Sequence, residues 1–208
     1  AGASFEYGEC YVNPGDVALL YEHGDIDKRY GFVMGGGKPE GAFVPKKEDV
    51  VPPCAVKTLP VQDGDVFDLG GVQIEAIAVP GHTVGTMVYL DRARRVLYSG
   101  DACNANTLLG LPCSTTVETY AKSLDHLATY LKGIDKFYGG HGLQAVPAYI
   151  VDEALMLCEE ILSDDDDRFE TEFLGRKFLY ARKFDGMFHR EDGGIANIAY
   201  VMEKVYNK

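Results

Sequence analysis

Three glycine-flanked turns constrain this chain more than anything else in it, because each follows an apolar, β-branched stretch and each carries one side chain able to bind a metal. The first is Val79-Pro80-Gly81-His82-Thr83-Val84-Gly85, the second Ser99-Gly100-Asp101, and the third Gly139-Gly140-His141-Gly142. Imidazole nitrogen and carboxylate oxygen are donors that zinc, iron and manganese accept, and glycines let strand ends approach a shared ion closely. A lone histidine after a strand is more often a turn or core residue than a ligand. The three turns together, in this order and in these strand contexts, read as one site in three pieces.

Pro80-Gly81-His82-Thr83-x-Gly85, Ser99-Gly100-Asp101 and Gly140-His141 together resemble the metallo-β-lactamase superfamily of metal-dependent hydrolases. Within it, the chain is most similar to the small glyoxalase II-like hydrolases of thioesters and related acyl compounds. The resemblance covers about Cys10 to Tyr200. It implies an α/β (α+β) fold, an αββα sandwich with two sheets face to face and helices outside. It also implies two divalent metals, zinc first with iron or manganese as alternatives, and a metal-bridging hydroxide as nucleophile toward a small-molecule substrate. His82 would belong to the first metal, His141 to the second and Asp101 to both. Thr83, beside His82, is expected to make a hydrogen bond that orients a ligand.

The family's first motif, His-x-His-x-Asp-His, is absent, since the only upstream histidine is His23. That motif supplies most of the ligands and the proton-handling aspartate, so the general acid or base stays unassigned. The chain is expected to be the C-terminal portion of such a domain, with Ala1-Gly2-Ala3 standing just after the missing N-terminal segment. Each metal would lack about one or two of its usual three protein ligands, so low occupancy and little hydrolase activity are expected of this chain alone. Strands deprived of partners are expected to drive association into a homo-oligomer. Two readings from other classes are an iron-dependent oxidoreductase on the same fold and a non-catalytic interaction domain.

A length of 208 residues, 46% hydrophobic and 25% charged, suits one globular domain spanning the chain. A net charge of −12 argues against nucleic-acid partners, as the only basic cluster is Arg92-Ala93-Arg94-Arg95. No apolar run approaches the roughly 20 residues of a membrane helix, and no signal segment opens the chain, although one could precede a missing N-terminus. The five cysteines are scattered and never spaced Cys-x-x-Cys, which suits reduced thiols in a cytoplasmic protein. Cys103, two residues after Asp101, is the thiol nearest the expected metals in sequence.

Along the chain, Cys10-Tyr11-Val12 reads as a strand and Asn13 to Asp16 as a turn into a short helix through Leu19, Leu20 and Tyr21. Gly24 to Pro53, with Gly35-Gly36-Gly37 and Lys38-Pro39, reads as an irregular insertion and a candidate pocket wall that would set substrate choice. Val56 to Tyr98 is β-rich, with turn signals that predict an antiparallel sheet. Thr115-x-x-Glu118 predicts the start of an amphipathic helix that closes at Gly133, and Val151 to Leu162 predicts another. Asp164 to Asp167 lacks the spacing of an EF-hand loop and reads as a solvated charged loop. His23, His126 and His189 have no second ligand type beside them and read as non-ligands.

Overall fold

The computed structural model describes all residues except 1, 36–40, 42, 142, 143, 174 and 187, with the side chains of 2, 3, 33 and 35 also left out. The described residues form two compact units, Ala1–Val61 and Gln62–Lys208.

In the first unit β1 (Glu9–Val12) runs parallel to β2 (Lys57–Pro60). Asn13 turns the chain after β1, its Oδ1 accepting from the Gly15 amide at 3.0 Å, and Pro14 opens the helical turn where a missing N–H is harmless. α1 (Val17–Glu22) follows, as its apolar run predicts. The Tyr21 hydroxyl donates to the Val56 carbonyl at 2.8 Å and ties α1 to the approach of β2. The stretch read as irregular is helical over α2 (Ile26–Gly35). Charged Asp27, Lys28 and Arg29 and the interior Gly31 blur any apolar face there, which hides the helix from a periodicity reading. Gly36, Gly37, Lys38 and Pro39, the turn signals of that stretch, lie outside the described residues. Lys57-Thr58-Leu59, read as part of the β-rich centre, pairs with β1 instead.

The second unit runs β3 (Val66–Asp68), β4 (Gln73–Ala78), β5 (Met87–Asp91), β6 (Val96–Gly100), β7 (Thr107–Leu108), α3 (Val117–Ala128), β8 (Lys136–Gly139), β9 (Val146–Pro147), α4 (Ile150–Ser163), β10 (Phe169–Phe173), β11 (Arg176–Tyr180) and β12 (Ile198–Tyr200). Six strands form one sheet in the order β3-β4-β5-β6-β8-β9, and four form another in the order β10-β11-β12-β7. β3 to β6 make the expected antiparallel meander. β8 joins parallel to β6, because α3 carries the chain back across the sheet.

Side-chain alternation separates the two faces of the larger sheet. Val88, Leu90, Leu97 and Phe137 are fully buried and share one core with Tyr120, Leu124 and Leu127 of α3 and Ile150, Leu157 and Ile161 of α4. On the other face Tyr89, Tyr98 and Tyr138 stand in register across three strands, and the last two rings stack with centroids 6.1 Å apart. The smaller sheet is packed on both sides. Ile198 and Tyr200 join the main core, whereas Phe178, Tyr180 and Ala199 face a second cluster with Phe169, Phe173, Phe184 and Phe188.

Two local expectations are corrected. The α3 cap is Thr116 rather than Thr115: its Oγ1 accepts from the Thr119 amide at 3.1 Å. The Thr115 amide is drawn away to the Gly81 carbonyl at 2.9 Å, and Glu118 accepts from the Asn207 amide instead of closing a capping box. The aspartate run is not wholly solvated either. The Asp166 side chain is buried, with the Tyr200 hydroxyl donating to Oδ2 at 2.6 Å and Arg168 Nε lying 3.1 Å from Oδ1. No helix among the described residues is long and apolar enough to cross a membrane.

The two-faced sheet predicts unequal losses on either side of one peptide bond. Leu97→Ala, on the buried face, should cost about 2–5 kcal/mol of unfolding free energy, and Tyr98→Ala, on the half-exposed face, about 1 kcal/mol. Urea denaturation followed by circular dichroism measures both, and equal losses would contradict the assignment.

Candidate metal centre

His82 sits on a turn closed by backbone bonds from Val79 N to the Thr86 carbonyl at 2.9 Å and from Gly81 N to the Thr83 carbonyl at 3.0 Å. The Thr83 and Thr86 hydroxyls lie 2.8 Å apart and brace the same turn. Gly81 is required here, since a methyl at this position would lie 2.4 Å from Cδ2 of the buried Tyr120 ring. The His82 Nδ1 lies 3.1 Å from the Leu108 carbonyl. A carbonyl can only accept, so Nδ1 is the donor, and in the neutral ring this leaves the lone pair on Nε2, the form a metal-binding imidazole needs. The Ser114 hydroxyl, 2.8 Å from the His82 carbonyl and 3.1 Å from the Leu108 carbonyl, joins the two segments.

Asp101 and His141 follow the C-terminal ends of the parallel strands β6 and β8. Gly100 is in register with Gly139 after a bulge that begins at Tyr98, and the Gly140 amide donates to the Gly100 carbonyl at 2.8 Å. Gly100 has φ +51°, and a methyl on Gly140 would fall 2.8 Å from Asp101 Oδ1, so both glycines serve the close approach. The result is a pair: Asp101 Oδ1 lies 3.3 Å from His141 Nε2, with the carboxylate 36% and the imidazole 81% exposed. Asn104 Nδ2 is 3.5 Å from the same oxygen, at the limit of a hydrogen bond. At that exposure the contact contributes little stability, and open donors facing water are what a ligand position requires.

Whether these residues fit a divalent metal has a divided answer. Two imidazoles and a carboxylate are the right kinds of donor. In number they fall short, because no group of three or more His, Cys, Asp or Glu among the described residues is close enough together to hold an ion. The structure therefore joins Asp101 to His141 and holds His82 on its own turn. Gly142, the last residue of the third motif, lies outside the described residues.

The other candidates are engaged elsewhere. Cys103 is buried, its thiol donating to the Ile150 carbonyl at 3.6 Å, and burial pushes its pKa up to about 12, so it is no ready thiolate ligand. His126 Nε2 lies 3.1 Å from both Asp63 oxygens and His189 Nδ1 lies 3.3 Å from Asp185, while His23 is exposed at the end of α1. Residues that the sequence does not flag are the ones that fix the turns. The Tyr120 hydroxyl donates to the Ala102 carbonyl at 2.7 Å, and the Ser123 hydroxyl donates to the Pro80 carbonyl at 2.8 Å. Nothing marks them beforehand, because their partners are backbone carbonyls.

Strand-end turns carrying histidine, aspartate and histidine in this order agree with the sequence comparison, which matches residues 11–169 to the family described as the Metallo-beta-lactamase superfamily. The chain belongs to that superfamily. The acyl-coenzyme A thioesterase MBLAC2 of Homo sapiens is 31% identical over 86 residues, which are 40% of this chain and 31% of that protein. The hydroxyacylglutathione hydrolase of Acidiphilium cryptum is 32% identical over 128 residues, 57% of this chain and 45% of that protein. The chain thus spans less than half the length of these curated relatives. The sec-alkylsulfatase Pisa1 of Pseudomonas sp. shares the fold over 79% of this chain and 30% of its own, with a TM-score of 0.55 at 12% identity.

Two outcomes follow from the packing around the turns. Gly81→Ala must move the rigid Tyr120 ring and should cost about 1–3 kcal/mol by urea denaturation, as overpacked sites do. Under native conditions iodoacetamide should label the exposed Cys54 and spare the buried Cys103 and Cys158, read by mass spectrometry of peptides. Rapid labelling of Cys103 would refute its burial.

Proposed function

We propose that the protein is a metal-dependent hydrolase of thioester or related acyl small molecules, and that this chain contributes His82, Asp101 and His141 as metal ligands with Asp101 shared between two ions, zinc being the first choice. The observation that carries the reading is the Asp101–His141 pair at the ends of two parallel strands. The Nδ1 contact of His82 with the Leu108 carbonyl supports it, and so do the activities named for the acyl-coenzyme A thioesterase and hydroxyacylglutathione hydrolase relatives. Bound divalent ions would supply a hydroxide at neutral pH and polarise a carbonyl. With two donors converging and a third apart among the described residues, each ion would be short of its usual ligands there, and the reading needs further donors to complete the site.

Zinc binding by this chain alone is accordingly weak and its hydrolase activity slight. β3 and β10 are terminal strands of their sheets, and terminal strands left unpaired would favour self-association. All five cysteines are free thiols, which suits the reducing cytoplasm.

Calorimetric titration of zinc into this chain should show weak binding that Asp101→Ala removes. In the protein expressed from its full reading frame, Asp101→Ala should lower thioester hydrolysis by more than the roughly 10–100-fold typical of residues one step removed from a metal. Thiol release from an acyl-coenzyme A and from a glutathione thioester reads that loss. Hydrolysis that survives Asp101→Ala unchanged would sink the assignment.

A further inference from the structure

The ammonium of Lys204 donates to three carbonyls of a single loop, Leu111 at 2.7 Å, Pro112 at 3.2 Å and Ser114 at 2.5 Å. An ammonium has three protons and no acceptor, so this one loop occupies all of them. The same loop holds the His82 turn. The Ser114 hydroxyl bridges the His82 and Leu108 carbonyls, the Leu108 carbonyl accepts from His82 Nδ1, and the Cys113 carbonyl accepts from the Val84 amide at 3.2 Å. Carbonyls gathered on one point repel one another unless a cation sits among them. Lys204 is anchored from its other side: the Val205 carbonyl accepts from the Glu118 amide at 3.0 Å, and Asn207 Oδ1 accepts from the Thr116 and Thr119 hydroxyls at 2.7 and 2.9 Å.

We propose that Lys204 is a positioning residue for His82: its charge keeps the 109–114 loop closed behind β7, so that Ser114 holds the His82 and Leu108 carbonyls together and the imidazole stays with Nδ1 as the donor and Nε2 free for a ligand. The functional weight of this rests on His82 being a metal ligand. The geometry does not, because the loop, the ammonium and the imidazole are joined by hydrogen bonds within the chain.

Long-range proton–nitrogen spectra of the histidine-labelled chain test it, with His82 assigned by loss of its signals in His82→Asn. The wild-type chain must show the Nδ1–H tautomer at His82, and the Nε2–H tautomer there would overturn the proposal before any variant is made. Lys204→Met should lose the Nδ1–H signal and weaken zinc binding by about 10–100-fold. Lys204→Gln should lose it in part, and Lys204→Arg should restore it. A purely structural lysine would lower the melting temperature and leave the His82 tautomer alone. A folded Lys204→Met or Lys204→Gln chain with the wild-type His82 signature therefore overturns the proposal, and Lys204→Gln decides if Lys204→Met does not fold. Failure of the ligand assignment looks different: His82→Ala would then bind zinc as tightly as the wild type, while the tautomer result stood.

Discussion

Tyr120 is the strut on which the candidate centre depends. Its ring lies against Gly81, one residue before His82, and its hydroxyl donates to the Ala102 carbonyl, one residue after Asp101. One fully buried side chain of α3 thus touches two of the three turns and sets their separation from within the core. The hydroxyl would be costly there without a partner, and burial holds it far above the ordinary tyrosine range as a neutral donor. Because the ring also belongs to the packing of α3 on the large sheet, the turns inherit the rigidity of the core rather than that of a loop.

The third support reaches His82 through the smaller sheet. β7 carries Leu108, and β7 is held in register by β12, with Ile198 opposite Thr107 and Ala199 opposite Leu108. The excursion leading into β12 is fastened by Arg190, whose buried guanidinium donates to the Ala196 carbonyl at 2.8 Å and to Asp192 Oδ1 at 2.8 Å. Glu153 of α4 accepts from the Ile195 and Ala196 amides at 2.7 and 2.9 Å. The buried Arg190 charge is tolerated because it meets the Ala196 carbonyl and the carboxylates of Asp192 and Glu153. The imidazole orientation is therefore the far end of a series that begins with an ion-paired loop on α4.

What the sequence makes legible is what depends on residue type and short spacing. The β3 to β6 meander, α3 and α4 are visible as alternation and helical periodicity broken by turn residues, and the three ligand-bearing turns stand out because glycine, histidine and aspartate are specific there. Other features depend on contacts between distant segments. The parallel pairing of β7 with β12 joins two- and three-residue strands too short to carry a pattern. The choice of Thr116 over Thr115 as helix cap is made by the Gly81 carbonyl, not by the threonines. The roles of Leu108 and Lys204 on the His82 side are played by or on backbone carbonyls, which every residue possesses. Asp166 looks like its neighbours in a run of four, and its burial against the Tyr200 hydroxyl and Arg168 depends on contacts the run does not show.

The tyrosine row on the outer face of the larger sheet has an optical consequence. Tyr98 precedes Asp101 by three residues on β6, and Tyr138 precedes His141 by three on β8, so the stacked rings and the paired ligands are carried by the same two strand ends. The chain contains no tryptophan, and its near-ultraviolet absorption and emission therefore belong to tyrosine. Any slip of one strand end along the other would slide one phenol ring across its neighbour, so within the signal of the 13 tyrosines this stacked pair varies with the alignment of Asp101 and His141.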